Sequence, residues 1–210
     1  MKVKICGITN IEDALLCESL GANALGFIFY EKSKRYISRE AACGIVKSIS
    51  PFTMKIGIFV NKSYKYVNKI AAETGMNAVQ LHNDIPPEEL EKFSLPVIQS
   101  FRVDDQFDYS ILKKYQDTKR LIYFLLDTYS NSEFGGTGKK FNWELIPERF
   151  KSRIILAGGI SIENVDEIFK TIKPAGIDLS SSVESEPGKK DKAKLQAFFK
   201  KLNELRGTQC

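Results

Sequence analysis

The sequence predicts an α/β fold, a closed (β/α)8 barrel of parallel strands, in a single domain covering residues 1–210. Three observations lead there. Short apolar runs alternate with amphipathic stretches along the whole chain, eight such runs are each followed by a helical pattern, and polar residues stand just past nearly every run. Near-continuous apolar strands joined by helices imply parallel strands covered on both faces. An open doubly wound sheet also satisfies this, but it confines its site to the point where strand order reverses. A barrel brings all eight strand ends to one mouth, so the third observation selects the barrel, the TIM-barrel architecture.

The first strand is "VKI" (3–5) in "MKVKICGIT", which stops at Cys6 and is followed at once by Gly7. Such an end reads either as a small core thiol beside a turn or as a strand delivering a reactive side chain. "NIEDALLCESLGA" follows as a helix with Asn10 as its cap. Next come "ALGFIF" (24–29) with helix "SREAACGIVKSIS", and "KIGIFV" (55–60) with helix "NKSYKYVNKIAAETG". "AVQL" (78–81) precedes "PPEELEKF", and "VIQSF" (97–101) precedes "YSILKKYQ". "LIYFLLD" (121–127) is followed by the weakest helix, "NWELIPERF", which a proline interrupts. "IILAG" (154–158) leads into "SIENVDEIFKTI", and "GIDLSS" (176–181) leads toward "KDKAKLQAFFKKLNEL". Past the strand ends stand Cys6, Asn61, His82, Arg102, Asp127, Gly158–Gly159 and Ser180 to Ser182.

Composition narrows the class. With 43% hydrophobic and 27% charged residues the chain reads as globular rather than disordered. No apolar run approaches the roughly 20 residues that span a bilayer, and "MKVKICGITNIEDA" lacks the apolar core of a signal peptide. A cytoplasmic protein with no membrane association is expected. Cys6, Cys17, Cys43 and Cys210 form no C-x-x-C pair and have no histidine at ligand spacing, so reduced thiols and no metal site are expected. Cys17 and Cys43 fall in helical patterns as small hydrophobes, and Cys210 is expected to be exposed. The formal charge of +5 reads first as a solvated lysine-rich surface and second as long-range attraction for an anionic ligand, and no basic run interleaved with aromatics marks a nucleic-acid face.

Three stretches after strands six, seven and eight point to phosphate by their joint placement, each being weak alone. In "LAGGISIEN", Gly158 and Gly159 let backbone N–H groups approach an anion, and a helix beginning near Ser161 adds its positive end. In "IDLSSSVES", Ser180, Ser181 and Ser182 follow the eighth strand, with Asp178 inside it. Barrels commonly bind phosphate with the loops after strands seven and eight. A further glycine-rich stretch, "FGGTGKKFNW", holding Gly136, Thr137 and Gly138, can close over the same ligand. A phosphorylated small molecule is the ligand class expected.

"KICGIT", "SKRYIS", "VQLH", "LLD", "GGTGKKFNW", "LAGGI" and "IDLSSSVESEPGKKD" occur in order from residue 4 to about residue 191. Together they resemble the phosphoribosylanthranilate isomerases of tryptophan biosynthesis. The resemblance implies a cofactor-free Amadori rearrangement of N-(5-phosphoribosyl)anthranilate to 1-(2-carboxyphenylamino)-1-deoxyribulose 5-phosphate by general acid and base. It implies Cys6 as base, Asp127 as acid and Arg35 as the anthranilate-carboxylate contact. His82, the only histidine, and Gln80 on the same strand face are expected to support. A monomer or homodimer is expected. The chain departs from the family where Ser182 replaces a glycine and Asn83 replaces another, the latter suggesting a left-handed residue. Two competing readings are the sister isomerase of histidine biosynthesis, which typically uses two aspartates, and a non-catalytic phosphate-binding barrel.

Overall fold

In the computed structural model, which describes residues 1–128 and 142–207, eight parallel strands close into a barrel in the order β1 to β8. They are β1 (Lys2–Cys6), β2 (Ala24–Ile28), β3 (Met54–Phe59), β4 (Ala78–Leu81), β5 (Val97–Val103), β6 (Leu121–Thr128), β7 (Ile154–Ala157) and β8 (Gly176–Leu179). β1 closes the barrel against β8 in the register Ile5 to Leu179, and Cys6 pairs with Gly26 on β2.

Strand alternation sorts the side chains into two cores. Ala24, Ile56, Ala78, Ile98, Leu125, Ile155 and Ala157 pack together inside the barrel. Val3, Ile5, Leu25, Phe27, Val79, Phe124, Leu156 and Ile177 belong to the outer layer beneath the helices.

Helices α1 (Ile11–Ser19), α2 (Arg39–Val46) and α3 (Tyr64–Thr74) form where their caps predict. Asn10, Ser38 and Ser63 each accept from a first-turn N–H, and Gly75 closes α3 in the left-handed conformation. The next three crossovers are smaller than their sequence patterns suggest. "PPEELEKF" and "YSILKKYQ" wind as 3-10 helices, Pro87–Lys92 and Tyr109–Tyr115. Pro147 divides "NWELIPERF" into a 3-10 turn, Trp143–Leu145, and one turn of helix, α4 (Glu148–Lys151). Segments this short gain few i→i−4 bonds, so the tighter turn competes well.

After β7 the expected long helix is a short α5 (Val165–Glu167) running into a π turn, Ile168–Ile172. A 3-10 turn, Ser181–Val183, then leads into a hairpin of β9 (Glu184–Glu186) and β10 (Lys189–Lys190) that the sequence reading did not anticipate. α6 (Lys192–Gly207) is the longest helix and buries Leu195, Phe198, Phe199, Leu202 and Leu205. Among the described residues no helix is long and apolar enough to cross a membrane, and no group of side chains suits a metal ion.

Candidate active site

Cys6, Arg35, Gln80, His82, Asp127, Gly158, Gly159, Asp178 and Ser180 to Ser182 line one cavity of about 320 Å3 at the carboxyl end of the barrel. Every described site residue expected from the sequence therefore meets in one place. Gly136, Thr137, Gly138 and Cys210 lie outside the described residues.

The thiol arrives by alternation. Lys4 and Cys6 are two residues apart on β1 and share its inward face. Gly26 gives the thiol room, since a Cβ there would stand 3.2 Å from Cys6 Sγ. Cys6 is 8% exposed. The Lys4 ammonium favours the Cys6 thiolate by charge and makes an ion pair with Asp178 at 2.8 Å, both partners of that pair nearly buried. Burial pushes the Cys6 thiol pKa up; Lys4 and Lys190 pull it down, Asp178 adds to the rise, and the net direction is upward. The expected cationic surroundings are present, but they do not overcome desolvation.

Asp127 lies within β6 rather than past its end and is paired in register with Arg102 on β5. Burial and the nearby Asp178 raise its pKa to about 6, against the opposing pull of Arg102 and Lys4. A carboxyl in this range can hold a proton close to neutrality. Gly158, with φ at 78°, makes the close approach possible: a Cβ there would stand 2.7 Å from Thr128 N and 2.8 Å from Asp127 Oδ1.

His82 is neutral. Burial, Lys4 and Arg102 lower its pKa to about 4, and its Nε2 stands 2.7 Å from Gln80 Nε2 as an acceptor for that amide. Gln80 Oε1 and Asp178 Oδ1 are buried acceptors with no partner among the described residues. Asn83 does not take up a left-handed conformation; its carbonyl accepts from Gln99 Nε2 at 2.7 Å.

The loop after β7 is held by Asn164, a residue the sequence reading missed. It donates to the Gly159 carbonyl at 2.8 Å and accepts from Ser161 N at 3.0 Å. The helix after this loop begins at Val165, not beside Ser161, so the dipole expected there comes from no long helix. Gly159 has φ at 65° and open space where a side chain would go. Ser182 sits in the 3-10 turn without a positive φ, so its backbone carries no strain from the missing glycine.

Arg35 is held more firmly than expected of a residue waiting for a ligand. Glu184 accepts from Arg35 Nε at 2.9 and 3.0 Å and from Nη2 at 2.6 Å. Glu184 in turn accepts from Lys190 Nζ at 2.7 Å, and Lys190 also donates to the Cys6 carbonyl at 2.6 Å. Cys17 is fully buried in α1, whereas Cys43 is only partly buried and donates to the Glu73 carbonyl.

A family model described as N-(5'phosphoribosyl)anthranilate (PRA) isomerase matches residues 3–201. N-(5'-phosphoribosyl)anthranilate isomerase from Geobacter metallireducens is 42% identical over 202 residues, 96% of this chain and 98% of its own. The crystal structure of phosphoribosyl anthranilate isomerase from Thermotoga maritima aligns with a TM-score of 0.87 at 40% identity, covering 97% and 99% of the two chains. A phosphoribosyl anthranilate isomerase in complex with reduced 1-(o-carboxyphenylamino)-1-deoxyribulose 5-phosphate aligns at 0.83 with 37% identity, again over 97% and 99%.

Proposed function

The chain belongs to the N-(5'-phosphoribosyl)anthranilate isomerase family and carries out that isomerisation in tryptophan biosynthesis; from this premise we propose how its own residues do so. Asp127 protonates the furanose ring oxygen of phosphoribosylanthranilate, and the ring opens to a Schiff base. Cys6, as thiolate, removes the C2 proton to give an enolamine. That enolamine takes a proton at C1 and loses its enol O–H proton to become the ketone, and a proton passed through solvent from the Cys6 thiol back to Asp127 restores the starting pair, so the reaction is a net isomerisation.

The observation that supports this reading best is the shared cavity, which sets a buried thiol and a carboxyl with a raised pKa beside a glycine loop and a serine turn. The working protonation state differs from the resting one by one proton, held on Asp127 rather than Cys6. Gly158, Gly159 and Ser180 to Ser182 take the phosphate. Arg35 takes the anthranilate carboxylate through its remaining N–H groups, a geometry that suits guanidinium better than ammonium. Gln80 Oε1 and Asp178 Oδ1 accept from hydroxyls of the opened sugar, with neutral His82 fixing the Gln80 amide.

No cofactor enters this scheme. The chain acts on a small phosphorylated molecule in the cytoplasm, without nucleic acid or membrane, as a monomer or homodimer; sedimentation velocity decides between the two states. Neither the histidine-pathway isomerase nor a non-catalytic barrel is favoured. The test is turnover of freshly generated phosphoribosylanthranilate by the purified protein, followed by loss of anthranilate fluorescence. A folded protein without turnover would overturn the assignment.

A further inference from the structure

We propose that Lys190 is a positioning residue that, through Glu184, couples the arginine at the substrate carboxylate to the peptide carrying the catalytic base. The proposal rests on the roles given above to Arg35 and Cys6.

Lys190 has no exposed side-chain surface. Its backbone N–H donates to Asp13 Oδ2 at 2.7 Å, which fixes β10 to the first turn of α1. From that anchor the ammonium reaches beneath the end of β1. There it donates to the Cys6 carbonyl at 2.6 Å and to Glu184 Oε1 at 2.7 Å. Glu184 is fully committed. Its Oε1 also accepts from Gly188 N at 3.3 Å, and both its oxygens accept from Arg35 Nε. Arg35 Nη1 has no hydrogen bond among the described residues, so Glu184 aims that end of the guanidinium away from itself.

The chain of contacts is short, and its Lys190–Glu184 link is buried, while Arg35 at the far end is partly exposed. Moving a buried cation off its carboxylate leaves two desolvated charges, which proteins tolerate poorly. A carboxylate ligand that draws on Arg35 therefore acts on Glu184, and through Lys190 on the Cys6–Gly7 peptide. The charged groups facing the thiol are Lys4 on its own strand, Asp178 on β8, Arg35 on the loop before α2, and Lys190 on the hairpin. Of these, Lys190 alone bonds both the base's own peptide and the carboxylate that holds the arginine.

The test compares two probes, reduced 1-(o-carboxyphenylamino)-1-deoxyribulose 5-phosphate and the same compound lacking its carboxylate, by calorimetry on wild type, Lys190→Met and Glu184→Gln. Site-resolved alkylation of Cys6 across pH runs in parallel. Lys190→Met is expected to lose about tenfold of the preference for the carboxylate probe, roughly 1.4 kcal/mol, while the carboxylate-free probe binds as before. Its Cys6 alkylation midpoint is expected to move to higher pH, and Lys190→Arg is expected to restore part of both effects. Glu184→Gln keeps the acceptor but not the charge, and the same losses are expected if Lys190→Met fails to fold. A folded variant that keeps both the preference and the midpoint overturns the proposal. If wild type itself shows no preference for the carboxylate probe, the reading of Arg35 fails instead.

Discussion

Arg35 lies directly across Gly7. A Cβ built on Gly7 would stand 2.6 Å from Arg35 Cδ, and φ there is 78°, so the glycine after the thiol is needed twice over. Gly7→Ala has to adopt a left-handed conformation that costs about 1–2 kcal/mol, and it pushes the arginine stem off its seat. The expected outcome is a lower melting temperature and a KM raised more than kcat is lowered. An alanine variant with wild-type KM would show that Arg35 does not hold the substrate from this position.

Cys6→Ser and Asp127→Asn are each expected to lower kcat by about 10²–10⁴-fold while leaving the circular dichroism spectrum intact. A serine hydroxyl is far too weakly acidic to replace a thiolate. Binding of a reduced product analogue should survive in both, because phosphate and carboxylate are held elsewhere, and the double variant should lose less than the product of the two losses. Because burial raises the Cys6 pKa, alkylation of the free enzyme should be slow at neutrality and speed up in alkali. Most of kcat remaining in Cys6→Ser would make the thiol a core residue.

The two adjacent glycines after β7 separate steric from ligand effects. Alanine at Gly158 meets the Thr128 backbone at 2.7 Å, so Gly158→Ala should disturb Asp127 and cut kcat along with stability. Gly159 faces open space at φ 65°. Gly159→Val should therefore cost only backbone strain in the fold yet raise KM strongly through lost phosphate binding. Steady-state kinetics with unchanged KM would place the phosphate elsewhere.

The chain has one histidine, so its imidazole proton resonances are unambiguous. His82 should stay neutral through the ordinary imidazole range and titrate near pH 4, since burial and the nearby Lys4 and Arg102 disfavour its charged form. The sign is that of a depressed pKa: its stabilising contribution is complete above about 6.5 and fades as pH falls through about 4. A midpoint between 6 and 7 would mean that the ring is not shielded in the cavity.

Much of this site was legible because alternation is a strict rule in a strand. Cys6 and Asp127 follow from the ends of apolar runs and Asp178 from inside one, and Lys4 was legible too, two residues before Cys6 on the same face. A lysine inside a run as short as "VKI" reads as a solvent-facing position, and only the closed barrel buries its side chain. Glu184 and Lys190 were not legible. They stand in "VESEPGKKD", whose charges look like a solvated loop until the hairpin folds both beneath β1. The weaker helices failed for a local reason: prolines and short lengths leave too few hydrogen bonds to hold full α turns.

Asp127 carries a stability cost that its function requires. Its carboxyl has an ordinary pKa of 3.8 in the unfolded chain and about 6 in the native state, so folding favours the protonated form. A raised pKa contributes stability that is complete below the unfolded value and lost as pH rises through the native one. Above about pH 6 wild type therefore bears the cost of an ionised, buried carboxylate, to which Asp178 adds by like charge. Asp127→Asn removes that ionisation while keeping the shape. The variant should be more stable than wild type near neutrality, by on the order of 2–3 kcal/mol at about 1.4 kcal/mol per pKa unit. The advantage should shrink as pH falls below 6 and vanish below about 4, where both proteins carry a neutral group. His82 titrates in the same interval, but it does so in both proteins and cancels in the difference. Urea unfolding of the pair across this range measures that difference directly. A variant less stable than wild type at neutral pH would show that Asp127 is held as a satisfied anion, and such a group is poorly suited to give a proton to the sugar ring.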